Sequence, residues 1–187
     1  LCYIRQSAGT WNAALPLRPE GNGVELYVDR PRDTWTWRGD HVVMTTEYIA
    51  PARFVAEHMP VTEEPSGGSS VSVGHVHLEV GDVPTARKFY VDTVGFGETA
   101  RMGSSALFVS AGKYHHHMAM NMWGSAGAGF REPSLGLGRV DVVVPSRDDV
   151  AVTTDRLRLA GFPIRDDGSS VETNDPWGNI VRFTPAK

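Results

Sequence analysis

The sequence predicts an α+β protein in which tandem βαβββ modules form a curved mixed sheet. Three observations carry this expectation. Residues 71–127 read as a strand, a capped helix and three further strands. Residues 136–187 repeat that order. Neither pass, at roughly 50 residues, buries a sheet face alone, so the two are expected to pack together.

The elements follow along the chain. Val24 to Val28 alternates apolar and polar residues as a strand, and Arg30-Pro31-Arg32-Asp33 forms a turn into an irregular arm. Ala50 to His58 is helix-compatible, and Pro60 ends it. Residues 60–70, PVTEEPSGGSS, have the composition of a linker. From Val71, VSVGHVHLEV alternates as a strand. Asp82 caps a helix over Val83–Val94, with Ala86, Phe89, Tyr90 and Val94 on its apolar side, and Gly95 stops it. Strands are expected at Gly97–Arg101, Ala106–Ser110 and His115–Met122. In the second pass GRVDVVVP (138–145) is a strand, and Ser146 opens a helix through Leu159 that Gly161-Phe162-Pro163 ends. Short strands fit Ile164–Arg165, Ser170–Thr173 and Asn179–Thr184.

Composition narrows the function classes. The chain has 18 Lys and Arg against 22 Asp and Glu, a net charge of -4 with mixed signs. A nucleic-acid binder needs a concentrated basic face, and none is present. The single cysteine, Cys2, excludes an intramolecular disulfide and a cysteine zinc cage, so a reduced cytoplasmic setting is expected. No apolar run approaches the ~18–20 residues of a membrane span, and the N-terminus lacks a clean signal-peptide core. No membrane partner is expected. The first residue is Leu1 rather than methionine.

Five of the seven histidines fall in two clusters, His75 with His77 and the run His115-His116-His117. In a strand His75 and His77 share one face. The same geometry puts His115 and His117 on one face and His116 on the other, and spacing alone leaves open which faces inward. The plain alternatives are a strand histidine bonded to the backbone for His75 and a surface tract for the run. His41 and His58 lie in the arm and at the linker and receive no role. Trp35, Trp37 and Trp123 suit an aromatic pocket or a small core. Gly21-Asn22-Gly23 and Gly136-Leu137-Gly138 lack the strand-loop-helix context of a phosphate cradle.

VGHVHLEVGDVPTARKFYVDTVGF resembles the opening of a vicinal oxygen chelate module, the βαβββ unit of glyoxalases, bleomycin-resistance proteins and extradiol dioxygenases. SALFVSAGKYHHHMAMNMW (105–123), GNGVELYVDRPRDTW (21–35) and VMTTEY (43–48) together resemble the catechol-2,3-dioxygenase family of the extradiol class. Members carry four modules. The resemblance implies that residues 1–59 are a remnant of a preceding module plus an arm and short helix, and that 71–187 holds paired modules at 71–127 and 136–187. The chain would then be truncated at its N-terminus. Where the family carries a tyrosine ten positions before the glutamate, this chain has Leu15.

The resemblance implies an extradiol ring-cleaving oxidoreductase acting on a catechol-like aromatic with O₂. Its cofactor would be Fe(II), or Mn(II) as in some members, held by two histidines and a carboxylate that leave three positions open. His75 matches the first-strand ligand, Glu25 the carboxylate ligand, and His116 the general acid/base beside the metal. His77, His115 and His117 are candidates for supporting hydrogen bonds or substrate contacts. The family's other histidine ligand lies upstream of Leu1. In the last module the equivalent positions are Arg139 and Arg182, and guanidinium has no lone pair to donate. Two alternatives stand beside the enzyme: a non-catalytic small-molecule-binding protein of the bleomycin-resistance type, and a glyoxalase-like lyase or isomerase. A homo-oligomer, most simply a dimer, is expected, because the strand bearing Glu25 would otherwise expose an unpaired edge.

Overall fold

The computed structural model describes residues 3–7, 11–15, 23–44, 46–48, 50, 56, 72–132 and 136–187. The expected helix over 50–58, apart from Ala50 and Ala56, and the expected linker over 60–70 lie outside the described residues. The chain divides into two compact units, Leu1–Val73 and Gly74–Lys187.

The first unit contains strands β1 (Tyr3–Ser7), β2 (Trp11–Leu15), β3 (Leu26–Asp29), β4 (Trp37–Arg38), β5 (His41–Val42) and β6 (Thr46–Tyr48). Four of them form an antiparallel sheet in the order β3-β2-β1-β6. This corrects two expectations. The strand begins one residue after Glu25 rather than containing it, and β3 pairs with β2, from Trp11↔Asp29 to Ala14↔Leu26, so one of its edges is covered. The N-terminal hairpin escaped the sequence reading because Tyr3–Leu15 has no clean alternation. Beyond β3, Trp35 is buried, donates Nε1–H to the carbonyl of Arg30 at 3.0 Å and lies under the Arg32 guanidinium.

The second unit is two βαβββ passes. The first runs β7 (Val76–Glu79), α1 (Val83–Arg87) continuing as a π-helical stretch (Lys88–Val94), β8 (Gly97–Met102), β9 (Ala106–Ser110) and β10 (Met118–Asn121). The second runs β11 (Val140–Val144), α2 (Arg147–Leu159), β12 (Ile164–Asp166), β13 (Val171–Asn174) and β14 (Ile180–Pro185). Each pass makes a four-stranded mixed sheet, β7-β10-β9-β8 and β11-β14-β13-β12. In both, the first and last strands pair in parallel and the others antiparallel. A parallel pair needs a long crossover, which the helix and two intervening strands provide.

Local signals explain the helix ends. Asp82 accepts from the Thr85 amide at 2.8 Å, and Ser146 accepts from the Asp149 amide at 3.2 Å. Gly95 closes the first helix at φ 100°, a left-handed conformation that costs glycine little. The buried faces of both passes merge into one core: Leu78, Val80, Phe89, Tyr90, Leu107 and Met120 pack with Val140, Leu157, Trp177, Val181 and Phe183. Tyr90 also donates to the buried carboxylate of Asp175 at 2.9 Å, tying the first helix to the turn before β14. Among the described residues no helix is long and apolar enough to cross a membrane.

Candidate metal centre

Three histidines converge in the second unit. One ring nitrogen from each of His75, His77 and His116 lies within 4.8 Å of the other two. The ring centroids are 5.1 Å apart for His75 and His77, 4.4 Å for His75 and His116, and 5.6 Å for His77 and His116.

The backbone accounts for this convergence. His75 directly precedes β7 and His77 is its second residue, so period-two spacing sends both rings to one side. Gly112 and Lys113 both adopt positive φ, 64° and 54°, and reverse the chain after β9. The His117 amide then bonds the Val109 carbonyl at 2.9 Å, and its carbonyl accepts from Val76 at 3.0 Å. The histidine run is thereby pinned between β9 and the first residue of β7, beside His75.

This placement corrects the expected strand over His115–Met122. Pairing begins only at Met118, so the run is not pleated and strict alternation does not apply to it. His115 and His116 are both buried. Their Nδ1 atoms lie 2.8 Å apart, a hydrogen bond in which one ring donates and the other accepts. His117 turns elsewhere: its Nδ1 accepts from the Ala111 amide at 3.2 Å, and its ring lies 4.8 Å from that of Tyr114. Tyr114 packs against His115 at 4.1 Å. Thr99 donates to the His115 carbonyl at 2.6 Å, and Ser110 to the Tyr114 carbonyl at 2.7 Å.

Phe108 walls the cluster, edge-on to His116 at 5.1 Å and to His77 at 6.1 Å. The sequence reading missed it. Its only signal was its place in ALFVS, a strand buried at every position.

Burial sets the electrostatics. His116 is held well below its ordinary pKa of 6.5, first by desolvation and then by the positive charge that His75, His115, His77 and His117 would share with it. It is therefore neutral near pH 7. Its Nε2 is buried without a hydrogen-bond partner, the only such side-chain atom among the described residues. An orphaned, buried, neutral imidazole nitrogen beside two further histidines suits a divalent cation that accepts nitrogen donors. Three nitrogens sharing one ion stand about 3–3.6 Å apart, given bonds of ~2.1 Å. The three ring nitrogens lie within 4.8 Å of one another, so a shared ion would draw the rings closer, and the donor set fits a metal.

Glu25 lies in the first unit, half-buried, immediately before β3. Trp123 is exposed, so it does not join a buried aromatic pocket.

The second pass has no such cluster. Arg139, at the position of His75, pairs with Asp141 at 3.0 Å and Glu172 at 3.3 Å. Arg182 bonds Asp167 at 2.6 Å and Ser170 at 2.7 Å, and Arg165 pairs with Glu172 at 3.3 Å. The register Asp141↔Arg182↔Glu172↔Arg165 lines these charges across the sheet. Hydrogen bonds from Ser169 and Ser170 hold the Asp167 carboxyl well below the usual carboxylate range. An ion-pair lattice stands where the first pass gathers imidazoles.

Comparison with known proteins agrees with this architecture. The chain is 37% identical over 161 residues to a protein named catechol-2,3-dioxygenase from Bacillus subtilis (strain 168), covering 84% of this chain and 56% of that protein. The chain thus spans little more than half the length of this curated relative. In fold it is similar to the crystal structure of a glyoxylase/bleomycin resistance protein/dioxygenase domain from Frankia sp. EAN1pec, with a TM-score of 0.51 and 20% identity, over 64% of this chain and 94% of that one. Residues 72–183, which contain all three converging histidines and both βαβββ passes but for the last two residues of β14, match the Glyoxalase/Bleomycin resistance protein/Dioxygenase superfamily. With its paired α+β modules of the vicinal oxygen chelate fold, the chain belongs to that superfamily.

Proposed function

We propose that the chain carries the metal-dependent site of an extradiol dioxygenase that opens a catechol-like aromatic ring with O₂. The observation that carries this reading is the convergence of His75, His77 and His116, with the orphaned Nε2 of His116 among them. The 37% identical relative named catechol-2,3-dioxygenase supports the substrate class. Divalent iron, or manganese, held there would bring the two catechol oxygens and O₂ to one centre. His75 is the leading ligand. The carboxylate is assigned to Glu25 on the strength of its GNGVELY motif alone.

His116 is suited to accept a proton or a metal bond, because desolvation keeps its imidazole neutral. Phe108 shields the cluster on one side from water. His77, the exposed one of the three, is the residue most open to an incoming ring.

The test is anaerobic loading of the chain with Fe(II), followed by catechol and O₂. Appearance of the yellow ring-fission product supports the proposal. Absence of turnover by the iron-loaded chain overturns ring cleavage, and absence of metal uptake as well overturns the whole proposal.

One observation favours a second reading, a small-molecule-binding protein without redox chemistry: the ion-paired Arg139 and Arg182 occupy the equivalent face of the second pass. Metal analysis of the purified protein separates the two. Stoichiometric iron or manganese supports the enzyme, and a metal-free protein that binds small aromatics supports the binder.

A further inference from the structure

We infer that His115 is the positioning residue of the metal centre: it fixes the tautomer and ring plane of His116 so that the Nε2 lone pair of His116 faces His75 and His77. The inference rests on the proposed metal centre, with His116 as one of its nitrogen donors, but not on ring cleavage.

The chemistry follows from the Nδ1···Nδ1 contact of 2.8 Å between the two rings. Two lone pairs do not approach this closely without a proton between them. A neutral imidazole carries one N–H. If His116 holds its proton on Nδ1 and donates it to His115, its Nε2 is a bare lone pair. If His115 donates instead, His116 carries its proton on Nε2, and the N–H is buried among imidazoles with no acceptor. The first arrangement gives His116 a metal donor. Without metal either arrangement leaves Nε2 unsatisfied; only the first lets a bound cation satisfy it, whereas the second sets an N–H against the ion.

His115 is held firmly in place. It is completely buried, and the Tyr114 ring lies against it at 4.1 Å with an interplanar angle of 34°. Thr99 fixes its carbonyl, as Ser110 fixes that of Tyr114. Its ring is therefore a fixed post on which the His116 ring is oriented, and its own ring stands off from His75, at 6.1 Å between centroids. Metal-bound histidines elsewhere are oriented by a carboxylate, a carbonyl or water on their other nitrogen. Here the acceptor is a second imidazole, the neighbouring residue in the chain.

The experiment uses the whole chain, selectively labelled with ¹⁵N-histidine, without metal and with Co(II) as the probe. In the metal-free parent, ¹H–¹⁵N correlation places the His116 proton on Nδ1 and leaves Nε2 bare; a proton on Nε2 overturns the inference and needs no variant. His115→Phe keeps the ring against Tyr114 and removes the acceptor. It is expected to weaken Co(II) binding roughly 10–100-fold with a melting temperature close to the parent's. His115→Asn, whose side-chain oxygen lies near the original Nδ1 and can accept in its place, is expected to restore most of the affinity lost in His115→Phe. Unchanged Co(II) affinity and spectrum in His115→Phe, or no Co(II) uptake by the parent, also overturn it. If cobalt binds and the tautomer is as stated, but the iron-loaded protein turns over no catechol, only the ring-cleavage reading fails.

Discussion

His116 is the residue on which burial and chemistry meet. Its folded-state pKa lies below the 6.5 of the unfolded chain, chiefly through desolvation. Between those two values the unfolded state binds more protons than the folded state, so stability rises with pH across that window. The contribution is complete above about pH 6.5 and is lost as the pH falls through the lowered folded value. Denaturant titrations of the metal-free protein at pH 7.5 and pH 5.5 should therefore show a lower midpoint at the acid value. His116→Asn should show a smaller pH difference than the parent. His75 and His77 were legible from two-residue spacing, because β7 does pleat them to one side. The run at 115–117 was not. The left-handed pair Gly112-Lys113 reverses the chain late, so the histidines enter the sheet before regular pairing begins. A sequence shows three consecutive histidines; only the pairing register shows that two of them are buried and bonded to each other.

Among the elements, the helices were read most easily, because their ends carry side-chain caps. Ser146 and Leu159 bound α2 as expected, and Asp82 and Gly95 bound the first helix. Its π-helical second half had no sequence signal. A buried side-chain bond that joins elements of different passes is Tyr90 to Asp175, whose carboxylate also accepts from the Trp177 and Asn179 amides and from the Asn179 side chain. No spacing rule pairs residues this far apart in sequence. Burial pushes the Tyr90 hydroxyl up, and the neighbouring carboxylate reinforces the shift, so it stays protonated and donating. Tyr90→Phe removes one bond to a charged acceptor and should destabilise the protein by about 1.5–3 kcal/mol. Urea unfolding measures this directly, and a change below about 0.5 kcal/mol would show that Asn179 satisfies the carboxylate without the tyrosine.

At the scale of the whole second unit, the expectation that two short passes share a core is met by a single cluster drawn from both. Gly81 marks where they meet. A methyl group there would overlap the carbonyl oxygen of Ala128 and lie 2.8 Å from Nε1 of Trp177, which itself donates to Ala128 at 2.9 Å. The opposing atoms are backbone and a buried indole, which have little room to retreat. Gly81→Ala is expected to cost about 1–3 kcal/mol as an overpacked site and to broaden the unfolding transition of both passes together. An unchanged melting temperature would show that the junction can open without loss.

The position of His75 has a consequence for how this unit is divided from the rest of the chain. The second unit begins at Gly74, so its first candidate donor is the second residue inside that border, and Val76 is the first residue hydrogen-bonded to the histidine run. A fragment starting at Val76 would retain every strand of the unit and part with one of its three converging imidazoles. For any excision, fusion or proteolytic trimming of this protein, the border of the fold and the edge of the site are separated by a single residue.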